Sequence, residues 1–139
     1  MTASVALETA PQKADYDVIL NGLRAFNRSL VGPYTVEPIA ALIKNEAGDT
    51  IGGAHGYTLL GWLFVEIFFV PEELRGQGMG RKVLTEIEEG ARARGCHSAW
   101  LDTYNPDAKQ LYEKLGYREF GALDPFYDGR GRFWMQKKL

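Results

Sequence analysis

The segment from Val70 to Leu84 carries the residues best suited to chemistry. An apolar, strand-like run ends there, three alternating glycines (Gly76, Gly78 and Gly80) follow in a basic setting, and an amphipathic helix pattern begins at once. Glycines at a strand-to-helix junction let backbone N–H groups approach an anion closely, and the helix N-terminus adds a partial positive charge. This arrangement suits a pyrophosphate.

Two familiar phosphate-binding loops are excluded by the residues that follow. The dinucleotide fingerprint requires a third glycine where this chain has Arg81, and the nucleoside triphosphate loop requires a Gly-Lys-Ser/Thr sequence that is absent. The remaining pattern is Arg75-x-x-Gly78-x-Gly80. Because this pattern is short, a glycine-rich helix entry without any ligand is the alternative interpretation.

Length and composition predict one globular domain over residues 1–139. The net charge of −2 provides no bulk positive field, which argues against a dedicated nucleic-acid binder or a membrane-surface protein. The single cysteine, Cys96, cannot form an internal disulfide and fits a reducing compartment. Since the first residues also lack a basic start and a long apolar stretch, we expect a cytoplasmic protein.

The elements that must position the loop follow from apolar periodicity and turn residues. We predict strands at 5–7, 39–44, 50–60, 62–70, 98–103, 117–123 and 132–136, and helices at 15–30, from the glycine loop to about 94, and from 105 to 116. The strand at 62–70 is apolar on both alternating faces, so we expect it to be central and covered on both sides. The helix that follows it predicts one parallel pairing in a mostly antiparallel sheet.

This element order and three motifs resemble the GNAT superfamily of N-acetyltransferases. The motifs are the Arg75-x-x-Gly78-x-Gly80 loop, the strand that contains Glu66, and the segment 105–117, which reads Asn-Pro-x-Ala-x-x-Leu-Tyr-Glu-Lys-Leu-Gly-Tyr. The resemblance spans nearly the whole chain. It implies an α/β (α+β) fold with a mixed, mostly antiparallel central sheet of six or seven strands, about three flanking helices and one parallel β-α-β cofactor-binding unit.

The resemblance also implies acetyl-CoA as cosubstrate and no metal. In the family, loop N–H groups hold the pyrophosphate and the end of the preceding strand bonds the pantetheine arm through its backbone. The implied cofactor-binding residues are Phe68, Phe69, Val70, Arg75, Gly76, Gln77, Gly78, Met79, Gly80, Arg81, Asn105, Ala108 and Tyr112. Simpler roles remain open: the phenylalanine side chains can be core, Arg81 can lie on a solvated helix face, and Asn105 can be a helix cap only.

Two residues are candidates for catalysis. By resemblance, Tyr112 protonates the departing thiolate or orients the sulfur; the alternative is an aromatic packing residue. Glu66 is the only charged residue from Tyr57 to Val70, and a carboxylate in a buried strand is costly unless it is paired, hydrated or functional. Some family members use a glutamate here as general base, directly or through water, whereas an ordering role for water or an ion pair is the alternative.

The residues that bind the acceptor are harder to identify from the sequence. By resemblance, Tyr34, Trp62, Asp124, Phe126, Tyr127 and Asp128 lie in segments that flank the acceptor groove, although ordinary turn chemistry also explains the two Asp-containing turns. The one predicted helix between the first two strands is a departure from relatives that have two, and this segment usually helps to form the acceptor site. Neither His55 nor His97 has metal-ligand spacing.

We therefore expect an N-acetyltransferase that transfers the acetyl group of acetyl-CoA to a primary amine by direct attack in a ternary complex, with a small-molecule acceptor favoured. The alternatives are a protein or peptide N-acetyltransferase and a non-catalytic acyl-CoA-binding module. No nucleic-acid or membrane partner is expected, and a homodimer is possible by resemblance.

Overall fold

Six strands form one mixed sheet in a computed structural model that describes residues 2–139. The strands are β1 (Glu37–Lys44), β2 (Thr50–Leu59), β3 (Trp62–Phe69), β4 (Ser98–Thr103), β5 (Arg118–Tyr127) and β6 (Arg130–Lys138), in the order β1-β2-β3-β4-β6-β5. The helices are α1 (Lys13–Val31), α2 (Met79–Ala93) and α3 (Pro106–Lys114), and a single 3-10 turn spans Glu72–Leu74. The predicted fold class is confirmed.

The chain divides into two compact units, and the boundary along the sequence falls between Tyr34 and Thr35. The first unit contains α1, which begins two residues earlier than predicted. Its Asp15 caps from inside the first turn, since the carboxylate accepts the Gln12 N–H at 2.9 Å. The strand predicted at residues 5–7 is wrong: these residues are irregular, and no strand of the sheet pairs with them. A short apolar alternation forms a strand only where a ladder partner is available.

The second unit contains the sheet, α2 and α3. Strands β3 and β4 form the one parallel pair of the sheet, as the helix between them predicted, and the other pairs are antiparallel. The C-terminal hairpin is longer than expected, because β5 continues to a tight turn at Asp128 and Gly129.

The core lies between α2, α3 and one face of the sheet. The predicted stripe of α2 is buried together with β-strand residues and the tyrosine of α3; this set comprises Val83, Leu84, Ile87, Ala91, Leu63, Val65, Leu101, Met135 and Tyr112. Each fully buried aliphatic side chain contributes roughly 1.5–3 kcal/mol relative to an exposed one. This packing fixes α2 and α3 against the strands whose ends form the site.

A polar cluster completes the packing of α2. The Glu88 carboxylate is 3% exposed, accepts the Lys137 ammonium at 2.7 Å and accepts the Tyr117 hydroxyl at 2.8 Å. Since Lys137 lies on β6 and Tyr117 follows α3, Glu88 ties α2 to both elements. Burial and the charge of Glu88 raise the pKa of the Tyr117 phenol, so that it remains a donor to this carboxylate.

Strand β3 is central, as predicted, but neither of its faces is fully buried after Val65. Leu63 and Val65 lie in the core, whereas Glu66, Ile67 and Phe69 are exposed. The expectation of cover on both sides is therefore wrong for the second half of the strand. The physical reason is a change in strand pairing at Glu66.

Candidate functional site

A β-bulge lies at the centre of the site. Along the β2–β3 ladder, Val65 pairs with Gly56 and Ile67 pairs with His55, so Glu66 is an extra residue without a partner on β2. A Cβ at Gly56 would lie 1.8 Å from the Phe64 carbonyl oxygen, and only glycine permits this close approach. Bulges commonly re-aim side chains beside active sites.

Strands β3 and β4 separate at the same point. Their parallel pairing covers only Trp62 to Phe64 against Ser98 to Trp100, although β3 continues to Phe69 and β4 to Thr103. Beyond Phe64, the backbone groups of β3 that face β4 have no strand partner among the described residues. An extended ligand placed in this gap can therefore accept and donate backbone hydrogen bonds, much as an added strand does.

The gap opens into a cleft of about 910 Å³. Its walls are the second half of β3, the glycine loop, the end of β4 and the first turns of α3; the lining residues outside the sequence prediction are Val65, Ile67, Asp102, Thr103, Tyr104, Asp107 and Leu111. Both catalytic candidates line the cleft, as do all the implied cofactor residues except Gln77. The Gln77 side chain instead donates to the Glu73 carbonyl at 2.9 Å.

The glycine loop reaches α2 through two left-handed residues. Gly76 and Gly78 have φ of 73° and 79°, and Gly78 is the N-cap of α2. A Cβ at either position would meet nothing within 4 Å, so conformation rather than space requires glycine there. Arg75 braces the loop, because its Nε donates to the Val70 carbonyl at 2.9 Å. The first-turn N–H groups of α2 and the positive helix end therefore border the cleft.

Tyr112 projects from α3 into the wall of the cleft and is only 4% exposed. Its ring lies 6.0 Å from that of Phe68 and 5.9 Å from that of Tyr117, centroid to centroid. Burial, and then the charge of Asp102, raises the pKa of Tyr112 to about 12. The phenol is therefore a neutral hydrogen-bond donor throughout the physiological pH range.

Asp102 is the residue that sequence reasoning missed. It lies near the end of β4, lines the cleft and holds Arg132 of β6, whose Nε and Nη2 both donate to Oδ2 at 2.8 and 2.5 Å. The side chain of Asp102 is 16% exposed and that of Arg132 is 35% exposed. The available signal was a single carboxylate in the otherwise uncharged strand 98–103.

Glu66 lies on the cleft wall but is exposed. The burial on which its prediction partly relied is therefore absent, because the bulge turns it out of the ladder. Because Glu66 lies beside the separated strands, its carboxylate still borders the cleft that α3 borders from another side. Thus the cleft is polarised: Arg75, Arg81 and the α2 N-terminus border it with positive charge and Glu66 borders it with negative charge, whereas the carboxylate of Asp102 is neutralised by Arg132.

Asn105 is a helix cap and also borders the cleft. Its side-chain oxygen accepts the Asp107 N–H at 2.9 Å, which caps α3, and the residue also lines the cleft with Ala108. Of the acceptor-side candidates in the second unit, Phe126 lies under the Arg132 guanidinium at 5.4 Å, whereas Asp128 forms the hairpin turn.

Residues 2–139 contain no cluster of His, Cys, Asp or Glu that could hold a metal ion. His97 instead contacts Ser98, with Nδ1 and Oγ 2.9 Å apart, and packs edge-on against Trp62. In the part of the chain that is described, no helix is both long and apolar enough to cross a membrane.

Known proteins resemble this chain over most of its length. Residues 11–117 match the model of the acetyltransferase (GNAT) family. An acetyltransferase of Agrobacterium fabrum is 40% identical over 121 residues, which cover 87% of this chain and 88% of the relative. The blasticidin-S acetyltransferase of Streptomyces morookaense is 28% identical over 119 residues, covering 84% of this chain and 88% of the relative.

A solved structure shows the same fold. The crystal structure of an acetyltransferase from Agrobacterium tumefaciens superposes with a TM-score of 0.91 at 37% sequence identity, over 99% of this chain and 100% of that one. The bulged and separated strands, the glycine loop and the tyrosine of α3 thus occur in a chain whose relatives are acetyltransferases. The chain belongs to the GNAT family of acetyltransferases.

Proposed function

We propose that this enzyme transfers the acetyl group of acetyl-CoA to the primary amine of a small molecule, by direct attack in a ternary complex. The observation that carries the proposal is the polarised cleft between the separated ends of β3 and β4. Its positive groups suit a pyrophosphate, and the exposed carboxylate of Glu66 suits an amine. Each of the two substrates therefore meets groups of complementary charge in the same cavity.

The backbone provides most of the cofactor contacts. The loop N–H groups between Gly76 and Arg81 bind the pyrophosphate, and the unpaired edge of β3 from Phe68 to Val70 bonds the pantetheine arm. An N–H group of this edge polarises the thioester carbonyl in the manner of an oxyanion hole. Asn105 and Ala108 flank the arm from α3.

Glu66 removes the proton from the attacking amine, directly or through a water molecule. The amine nitrogen then forms a bond to the thioester carbon, the carbon–sulfur bond breaks, and the sulfur leaves as a thiolate that ends as a thiol. Tyr112 donates a hydrogen bond to this sulfur as its charge develops. Both residues line the cleft from opposite elements, β3 and α3, which allows them to act on two sides of one carbonyl.

A small-molecule acceptor is supported by a relative. The blasticidin-S acetyltransferase aligns over 84% of this chain and its name specifies a small-molecule substrate. A cavity of about 910 Å³ also falls within the usual range of small-molecule sites, roughly 300–1,000 Å³.

The first test is calorimetry with acetyl-CoA, followed by thiol release in a panel of small primary amines and of peptides with free amines. Binding of acetyl-CoA with turnover of small amines but not of peptides is the expected result. Absence of binding at millimolar acetyl-CoA contradicts the proposal entirely, and turnover of peptides alone contradicts its acceptor class.

Glu66 is tested by Glu66→Gln, which keeps the size of the side chain and removes its basicity. We expect a lower kcat/KM for the amine. Glu86→Gln is the matched control, since Glu86 is an exposed acid of α2 that lines neither cavity. An unchanged kcat/KM in Glu66→Gln means that Glu66 is not the base.

A further inference from the structure

All three tryptophans of the chain line a second groove. Trp62, Trp100 and Trp134 enclose about 450 Å³ together with Phe120 and Gln136. The groove crosses four neighbouring strands, because these residues lie on β3, β4, β6 and β5. Three tryptophans in one surface depression form a large, rigid and mostly apolar surface.

The groove lies on the sheet face opposite α2 and α3. Leu101 and Met135 are buried in the core beneath the helices, and side chains along a strand alternate between the two faces. Trp100 and Trp134 are offset by one residue from these core positions. The Phe64 ring stacks on Trp100 with centroids 4.0 Å apart, which extends the aromatic surface onto β3.

The groove adjoins the catalytic cleft through one ion pair. Asp102 follows Trp100 on the same face of β4, is the register partner of Trp134 and lines the cleft. Arg132, which holds Asp102, also lies 5.1 Å above the ring of Trp134, a groove residue. The Asp102–Arg132 pair therefore stands at the boundary between the two cavities.

We propose that the tryptophan groove is the acceptor subsite, and that the acceptor is an amine with a planar aromatic or heteroaromatic body. The body lies on the tryptophans, and its amine points past the Asp102–Arg132 pair towards Glu66. This inference rests on the proposed function and specifies its substrate class. A volume of about 450 Å³ accommodates such a molecule, and ring–ring contacts add about 0.5–1.5 kcal/mol each beyond burial of area.

The kinetic test compares 2-phenylethylamine with propylamine, which share a primary alkylamine but differ in the ring. We expect a higher kcat/KM for 2-phenylethylamine, and we expect Trp134→Ala to lower the ratio of the two kcat/KM values at least about tenfold. Because the ratio cancels general losses of activity, partial misfolding does not imitate the effect. Trp134→Phe keeps the ring and should retain most of the ratio, and Leu42→Ala, an exposed apolar position of β1, should retain all of it. An unchanged ratio in Trp134→Ala overturns the proposal.

The binding test needs no turnover. Since every tryptophan lines the groove, intrinsic fluorescence of the wild-type protein reports on its occupancy. Saturable change with 2-phenylethylamine and none with propylamine is the expected result. If fluorescence saturates while no amine is acetylated, the proposed function fails, and the groove binds the ring without being an acceptor subsite. If propylamine is acetylated while neither the fluorescence nor the kinetic ratio responds to the ring, the subsite fails and the proposed function stands. If tryptophan emission and the sedimentation coefficient both change on dilution, a second copy of the chain covers the groove. This result also overturns the proposal.

Discussion

Removal of the Tyr112 hydroxyl distinguishes two ways in which this residue can assist departure of the thiolate. Its pKa is raised to about 12, whereas an ordinary thiol has a pKa of about 8.5. Full proton transfer from this phenol to a thiolate is therefore uphill by about 5 kcal/mol, at 1.36 kcal/mol per unit. We infer that Tyr112 donates a hydrogen bond to the sulfur and keeps its proton through the transition state.

The magnitude follows from that assignment. A hydrogen bond to a charged group contributes about 1.5–3 kcal/mol, which predicts a loss of roughly 10- to 150-fold in Tyr112→Phe. A general acid that transfers its proton would contribute up to about 10⁴-fold. The rate of acetyl transfer is best measured in a single turnover, because product release then does not mask the chemical step. The acetyl-CoA affinity, measured by calorimetry, should remain unchanged.

Tyr117→Phe is the matched control. The two rings lie 5.9 Å apart, but the Tyr117 hydroxyl donates to Glu88 and does not line the cleft. This variant should lose about 1.5–3 kcal/mol of unfolding free energy while acetyl transfer keeps its wild-type rate. Equal single-turnover rates in Tyr112→Phe and the wild type would refute a role for the hydroxyl. A loss well above 10³-fold would refute the hydrogen-bond assignment in favour of proton transfer.

Three further predictions concern the loop, the buried ion pair and alkaline stability. Gly78→Ala places a Cβ on a residue with φ of 79°. The resulting strain of about 1–2 kcal/mol should raise the Kd of acetyl-CoA roughly 5- to 30-fold in calorimetry. An unchanged Kd would contradict the binding of acetyl-CoA by this loop. Glu88→Leu leaves the Lys137 ammonium buried without its carboxylate and should lower the free energy of unfolding by about 3–5 kcal/mol in denaturant titrations, whereas adding Lys137→Met should restore most of it. The pKa of Tyr112 rises from 10.0 to about 12 in the folded protein. The folded state therefore binds the phenolic proton more tightly than the unfolded state. This contribution to the free energy of unfolding is complete below pH 10, and about 3 kcal/mol of it is lost by pH 12. Tyr112→Phe should therefore show a shallower loss of stability between these pH values than the wild type.

Local signals explain what could be predicted from the sequence. The glycines of the loop and the cap at Asn105 act within a few residues of their own positions, so the start of α2 and of α3 followed directly from residue type. The exposure of Glu66 could not be predicted in this way. It depends on a one-residue slip against Gly56 of the neighbouring strand, and register between strands is a non-local property.

The Asp102–Arg132 pair was hidden for the same reason. Asp102 and Arg132 are 30 positions apart, and they meet only because β6 lies between β4 and β5 in the sheet. A carboxylate in a short strand offers one hint, but its partner and its distance from Tyr112 depend on sheet order. The pairing of strands therefore determines the electrostatics of the site, whereas the sequence motifs determine the positions of the glycine loop and of Tyr112.

The bulge gives these features a common cause. One additional residue at Glu66 ends the parallel ladder after Phe64, so that a gap opens within the sheet and not merely at its surface. The glycine loop and α3 border this gap from the core face, while Asp102 connects it to the tryptophans of the other face. A reaction by direct attack requires the thioester and the amine to approach one carbonyl carbon from different sides without displacing each other. The gap between β3 and β4 leaves room for such an approach, and a continuous ladder at the same position would exclude it.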